Sequence, residues 1–132
     1  MSFGFDHDHA PIVVFWWSGP FEAEDFTRSL EQLQSLFESW HAPGRIVFDF
    51  CDVEGFDAQW RRQHASWRAQ NQRLFRTKIA ASAYVFTSRL ARGYLTAVDW
   101  LRPIDGVQRR VFGARRDAVE WLQGLDAAQV AQ

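Results

Sequence analysis

An α/β fold with a mainly parallel sheet of four to five strands and about four helices is what this chain encodes. Short β-branched and aromatic runs alternate with longer stretches whose apolar residues recur every three or four positions, and only a few residues separate one from the next. Alternation of that kind gives parallel strands joined by right-handed crossovers, with helices covering the sheet. The chain has 132 residues, long enough to bury a core and too short for two domains. A single domain over 1–132 is expected.

Pro11-Ile12-Val13-Val14-Phe15-Trp16-Trp17 is a continuous apolar run closed by Ser18-Gly19-Pro20, which predicts a strand buried on both faces. Phe3 to Asp6 supplies a short partner strand before it. Glu22, Glu24 and Asp25 suit the positive end of a helix, and Phe26, Leu30, Leu33, Phe37 and Trp40 keep helical spacing until Pro43-Gly44. Arg45 to Phe50 reads as the next strand, and Asp57 caps a second helix running to about Leu74. Ile79 to Phe86 is a third strand in the series. Thr87 or Ser88 then caps a helix to about Leu101, stopped by Arg102-Pro103. Arg109 to Phe112 makes a last short strand, followed by a helix from about Arg115 to Leu122. The ordered core is expected over about 3–123, with a frayed tail after Gly124.

Hydrophobic residues make up 47% and charged residues 23%, values that exclude a disordered or fibrous chain. Aromatic residues reach 16%, with seven Trp and twelve Phe, a large apolar payload for one small domain. The single cysteine, Cys51, excludes a disulfide framework and a Cys-rich zinc site. The N-terminal residues lack the features of a signal peptide, and the longest apolar run, Ile12 to Trp17, is too short to span a bilayer. A cytoplasmic location without a transmembrane segment is the expectation.

Net charge is −1, but the charges are divided along the chain. Residues 1–60 carry two arginines against eleven acids, whereas 61–116 carry thirteen basic residues against two acids. The division fits either compensation inside the fold or a charged face for a partner. A pI near 6.4 disfavours nucleic acid.

Chemistry is sparsely encoded. There is no glycine-rich phosphate loop, no Gly-x-Ser-x-Gly elbow and no His-Glu-x-x-His. Asp6-His7-Asp8-His9 offers metal-ligand types, but alternate strand residues face opposite ways, so a solvated turn fits better and no metal or other cofactor is expected. Cys51 sits at the carboxyl end of its strand, where parallel sheets place their sites. The acids around it, Asp52, Glu54 and Asp57, oppose a reactive thiolate and suit capping, with an acid/base pair as the enzymatic alternative. His64 falls on the Trp60, His64, Trp67, Asn71 stripe, where packing is its natural role. Arg61, Arg62 and Arg68 read as a basic face flanking that stripe. Ser88, Arg89 and Arg92 stand at a predicted helix N-terminus suited to an anion, and Gly93 inside that helix leaves room for a neighbouring backbone or ligand.

Two stretches resemble a known family. Ile46-Val47-Phe48-Asp49-Phe50-Cys51-Asp52-Val53, then Phe56-Asp57-Ala58-Gln59, is similar to the STAS-domain pattern of an apolar strand ending in Asp, a loop, and Asp-Ser-Ser before a helix. Tyr84-Val85-Phe86, Arg92-Gly93, Leu95-Thr96-Ala97, Trp100-Leu101, Val111-Phe112, Ala118 and Trp121-Leu122 resemble the SpoIIAA-like, STAS-related single-domain proteins of myxobacterial type. The resemblance implies a SpoIIAA-like (STAS-like) fold and a non-enzymatic protein-interaction module in bacterial signalling. In sporulation-type members a serine of Asp-Ser-Ser is phosphorylated to switch partners; here those positions are Ala58 and Gln59, so that switch is missing. Lipid-carrier relatives make an apolar small-molecule or lipid ligand the alternative, and a small enzyme using Asp57 or Cys51 a second one. The expected surface for a protein partner is Asp52, Glu54, Asp57, Gln59, Arg61, Arg62 and Arg68; a homo-oligomer is also compatible with the divided charge.

Overall fold

A computed structural model of the chain describes residues 1–54, 58–87 and 108–125, the side chains at 60 and 61 excepted. The elements are β1 (Ser2–Asp6), β2 (Val13–Pro20), α1 (Ala23–Ser39), β3 (Gly44–Glu54), α2 (Ala58–Gln70), α3 (Gln72–Lys78), β4 (Ile79–Val85), β5 (Gln108–Phe112) and α4 (Arg115–Gly124). They form one five-stranded sheet in the order β1-β2-β3-β4-β5. β1 pairs antiparallel with β2, and every later pairing is parallel. The predicted strands and the α1 and α4 helices are present. The helix expected from Thr87 or Ser88 to Leu101 and the tail from 126 lie outside the described residues.

Alternation along each strand sorts side chains onto two unlike faces. Phe15, Trp17, Phe48, Phe50, Tyr84 and Phe86 point to the face covered by α1 and α2–α3, together with Phe26, Leu33, Phe37 and Phe75 from those helices. Rings stack along β2, Phe15 to Trp17 at 4.2 Å, and then across the sheet, Trp17 to Phe50 at 4.4 Å and Phe50 to Phe86 at 4.6 Å between centroids. Val14, Val47, Ala81, Ala83 and Val85 point the other way, against Ala118, Val119 and Leu122 of α4. The small residues on β4 let α4 lie close. Leu125 joins this second cluster, so the packed chain runs slightly beyond Gly124, where fraying was expected.

Three boundaries depart from expectation. Ser18-Gly19-Pro20 is not a terminating turn: it continues β2, paired with Asp52, Val53 and Glu54 of β3, with Gly19 at φ 85°. The acids Asp52 and Glu54 therefore stand on a strand overhang and not in a loop. A bulge between Trp16 and Ser18, opposite Asp49 and Asp52, gives β3 one extra residue there. The long second helix is divided at Asn71, whose Nδ2 donates to Trp67 O at 2.9 Å, and it resumes as α3 through Lys78.

Trp17 carries a polar atom into the aromatic core. Its indole Nε1–H donates to Ser29 Oγ at 2.8 Å, and that hydroxyl donates to Phe26 O at 2.6 Å, so the group is satisfied where no water reaches. Ser29→Ala leaves the Trp17 N–H without its acceptor and is expected to lower stability by about 1–3 kcal/mol. A lower urea midpoint at unchanged slope is the expected reading.

Candidate functional site

The carboxyl ends of β2, β3 and β4 form one rim of the sheet, where parallel folds gather their sites. Asp52 and Glu54 are exposed on the β3 overhang, and Gln59 and Arg62 are exposed on the first turns of α2. Gln63 fastens that start to α1, its Nε2 donating to Thr27 Oγ1 at 2.9 Å. Exposed charges of both signs thus stand on elements fixed by the sheet. Asp57, Ser88, Arg89, Arg92, Gly93 and the Arg61 side chain lie outside the described residues.

Arg68 is not on this surface. It is 5% exposed, with its guanidinium carbon 5.8 Å from the centre of the Tyr84 ring. The correction follows from helical spacing: His64, Arg68 and Phe75 share the inward side of α2–α3, while Arg62, Arg73 and Arg76 face out. An arginine on the inner stripe has an apolar stem to bury and a ring to stack on.

Two of the groups capable of chemistry, Cys51 and His64, are held in unreactive forms. Burial drives the Cys51 thiol up to about 12; its hydrogen bond with Asp49 and the nearby charges of Asp49 and Asp52 add to the effect. His64 is buried edge-on to Phe50, with ring centroids 6.2 Å apart. Burial first, and the Arg68 charge second, push it down to about 3, so it stays neutral. Among the described residues the aromatic side chains on this face go into packing: the space left among Trp17, Phe26, Phe50, His64, Trp67 and Tyr84 is about 10 Å³, room for a single water.

One ionic cluster escaped the sequence reading. Asp49 is 5% exposed on the α4 face of β3, and its Oδ2 accepts from Arg115 Nε at 2.6 Å while its Oδ1 accepts from Cys51 N–H at 2.9 Å. Arg115 Nη1 also reaches Asp6 Oδ2 at 3.4 Å. An acid within the apolar run Ile46 to Phe50 was the available signal, but its partner lies 66 residues away. Part of the charge division is therefore compensated internally. In the Asp6-His7-Asp8-His9 turn, Asp6 Oδ1 accepts from Asp8 N–H at 2.8 Å, and among the described residues no three His, Cys, Asp or Glu side chains gather as metal ligands.

Two outcomes follow from the perturbed groups. At about pH 8 Cys51 is expected to react with an aromatic disulfide reagent about 10³-fold more slowly than an unperturbed cysteine, and a normal rate would contradict the burial described. His64 has a pKa near 3 in the fold against 6.5 ordinarily, so protons favour the unfolded chain. The stability it contributes is complete above about pH 6.5 and is lost as pH falls toward 3. His64→Gln is expected to remove roughly 2 kcal/mol of the loss between neutrality and about pH 5, measured by urea titration at each pH.

The chain matches the SpoIIAA-like protein family over residues 12–123. Among solved structures, an uncharacterised protein of the DUF3478 family with a SpoIIAA-like fold, from Shewanella loihica PV-4, superposes with a TM-score of 0.66. The two share 16% identity, and the match covers 92% of each chain. No functionally curated protein matches.

Proposed function

The chain belongs to the SpoIIAA-like family, and we propose that it works as a non-enzymatic, STAS-like interaction module in bacterial cytoplasmic signalling. It binds a protein partner at the rim formed by Asp52, Glu54, Gln59 and Arg62, with Asp57 and Arg61 of the same segment taking part. The observation that carries this reading is the contrast at the rim: exposed charges on fixed elements stand beside a cysteine and a histidine that burial keeps unreactive. Such a surface recognises and orients a partner, and its charges set the rate and specificity of encounter. With Ala58 and Gln59 where the phosphorylated segment of sporulation-type relatives has serines, binding is not switched by phosphate there. No helix among the described residues is long and apolar enough to cross a membrane.

Asp52→Lys with Glu54→Lys, and separately Arg62→Glu, are expected to weaken capture of the partner from the native host by roughly tenfold while leaving the melting curve unchanged. Capture by both variants at the level of the original protein would remove the rim from the account.

A further inference from the structure

α1 and α2–α3 lie side by side on the same face of the sheet and run in the same direction, as consecutive parallel crossovers require. Their starts are level, because Gln63 Nε2 meets Thr27 Oγ1 at 2.9 Å and Ala23 O at 3.5 Å. The outward line of α1 carries Glu24, Glu31 and Glu38 at intervals of seven, all exposed. The outward line of α2–α3 carries Arg62, Arg73 and Arg76, also exposed. The division at Asn71 does not break this line: Asn71 N–H still donates to Trp67 O, and Phe75 N–H to Asn71 O, each at 3.0 Å. From first to last charge each stripe advances fourteen positions, about 21 Å of helix. None of these six side chains is in an ion pair among the described residues, and Arg28 beside the acidic stripe is matched by Asp25. Thr27, Ser35, Ser66 and Ala69 along the same lines are small and exposed, which permits close approach.

We propose that a second copy of the chain docks on this layer, the acidic stripe of each α1 lying on the basic stripe of the other copy's α2–α3. A two-fold axis parallel to the helices and midway between them does this without any shift along the axis. Glu24 then meets Arg62, Glu38 meets Arg76, and Glu31 lies opposite Ala69, one turn from Arg73, and every contact occurs twice. The other two-fold in that plane, perpendicular to the helices, stacks acids on acids and arginines on arginines, so charge selects between the two. Charge divided along the sequence becomes self-complementary in space.

The stripe shares Arg62 with the rim, so its test leaves that residue untouched and reverses charges that only the stripe contains. Sedimentation velocity of the full chain at about 0.05 M salt is expected to show a dimer whose dissociation constant rises at least about tenfold by about 0.5 M. Glu31→Lys with Glu38→Lys, and Arg73→Glu with Arg76→Glu, should each sediment as a monomer with an unchanged melting curve. Mixed in equal amounts, the two variants should re-form a dimer holding one of each, identified by native mass spectrometry, because each reversed stripe then faces its opposite. Asp52→Lys with Glu54→Lys should remain dimeric whatever its effect on partner capture. A monomeric original chain at low salt, a dimer that either paired variant leaves intact, or a mixture that stays monomeric would overturn the proposal.

Discussion

A carboxylate taken out of water must be paired, and Asp49 is the point where this domain meets that requirement. It sits on the central strand, and the groups that satisfy it come from the strand's own bulge, through Cys51 N–H, and from the first residue of α4, through Arg115. Arg115 in turn reaches Asp6 at the end of β1. One buried charge thus fixes where α4 begins over the sheet and draws in the turn after the edge strand. At the other end of α4, Arg45 Nη1 donates to Leu122 O at 2.6 Å, so the helix is tied to β3 at both ends. The same arrangement adds to the burial that keeps Cys51 protonated, since its thiol lies beside a negative charge that is needed elsewhere.

The two faces of the sheet solve the packing problem differently. Toward α1 and α2–α3 the strands present large rings, and these interlock with Phe26, Phe37 and Phe75. Toward α4 they present valines and alanines, and a single helix seats closely. The aromatic excess is therefore concentrated in one layer, where stacked and tilted rings contribute specificity of fit as well as buried area. Between Trp17, Phe50, His64 and Tyr84 the described side chains leave room for one water.

Most of the architecture was legible because each strand and helix signals its own period locally. The run Ile12 to Trp17 and the spacing from Phe26 to Trp40 need no distant information. What failed to show needed it. Whether Ser18-Gly19-Pro20 ends a strand or extends one depends on whether Asp52 to Glu54 lies alongside, and a turn-forming tripeptide cannot tell. The charge of Arg68 points to the surface, yet it follows His64 by one helical turn on the inner side, where the Tyr84 ring lies beneath it. At the rim, the residue types were visible in sequence, but their footing on a rigid overhang was not. The family resemblance pointed to the same fold that the strand order displays, and it carried Asp49 without disclosing Arg115.

The sheet is assembled in strict chain order, each strand beside the one before it. During synthesis every new strand therefore finds its neighbour already made, and no gap must be held open for a later insertion. The exception is the reverse face. Val14, Val47 and the β4 alanines are cleared from the ribosome well before α4, which is the last described helix of the chain, and until it arrives they have no cover from it. Its first residue carries the arginine that neutralises Asp49, so closing that face and discharging its buried charge are one event in the life of the nascent protein.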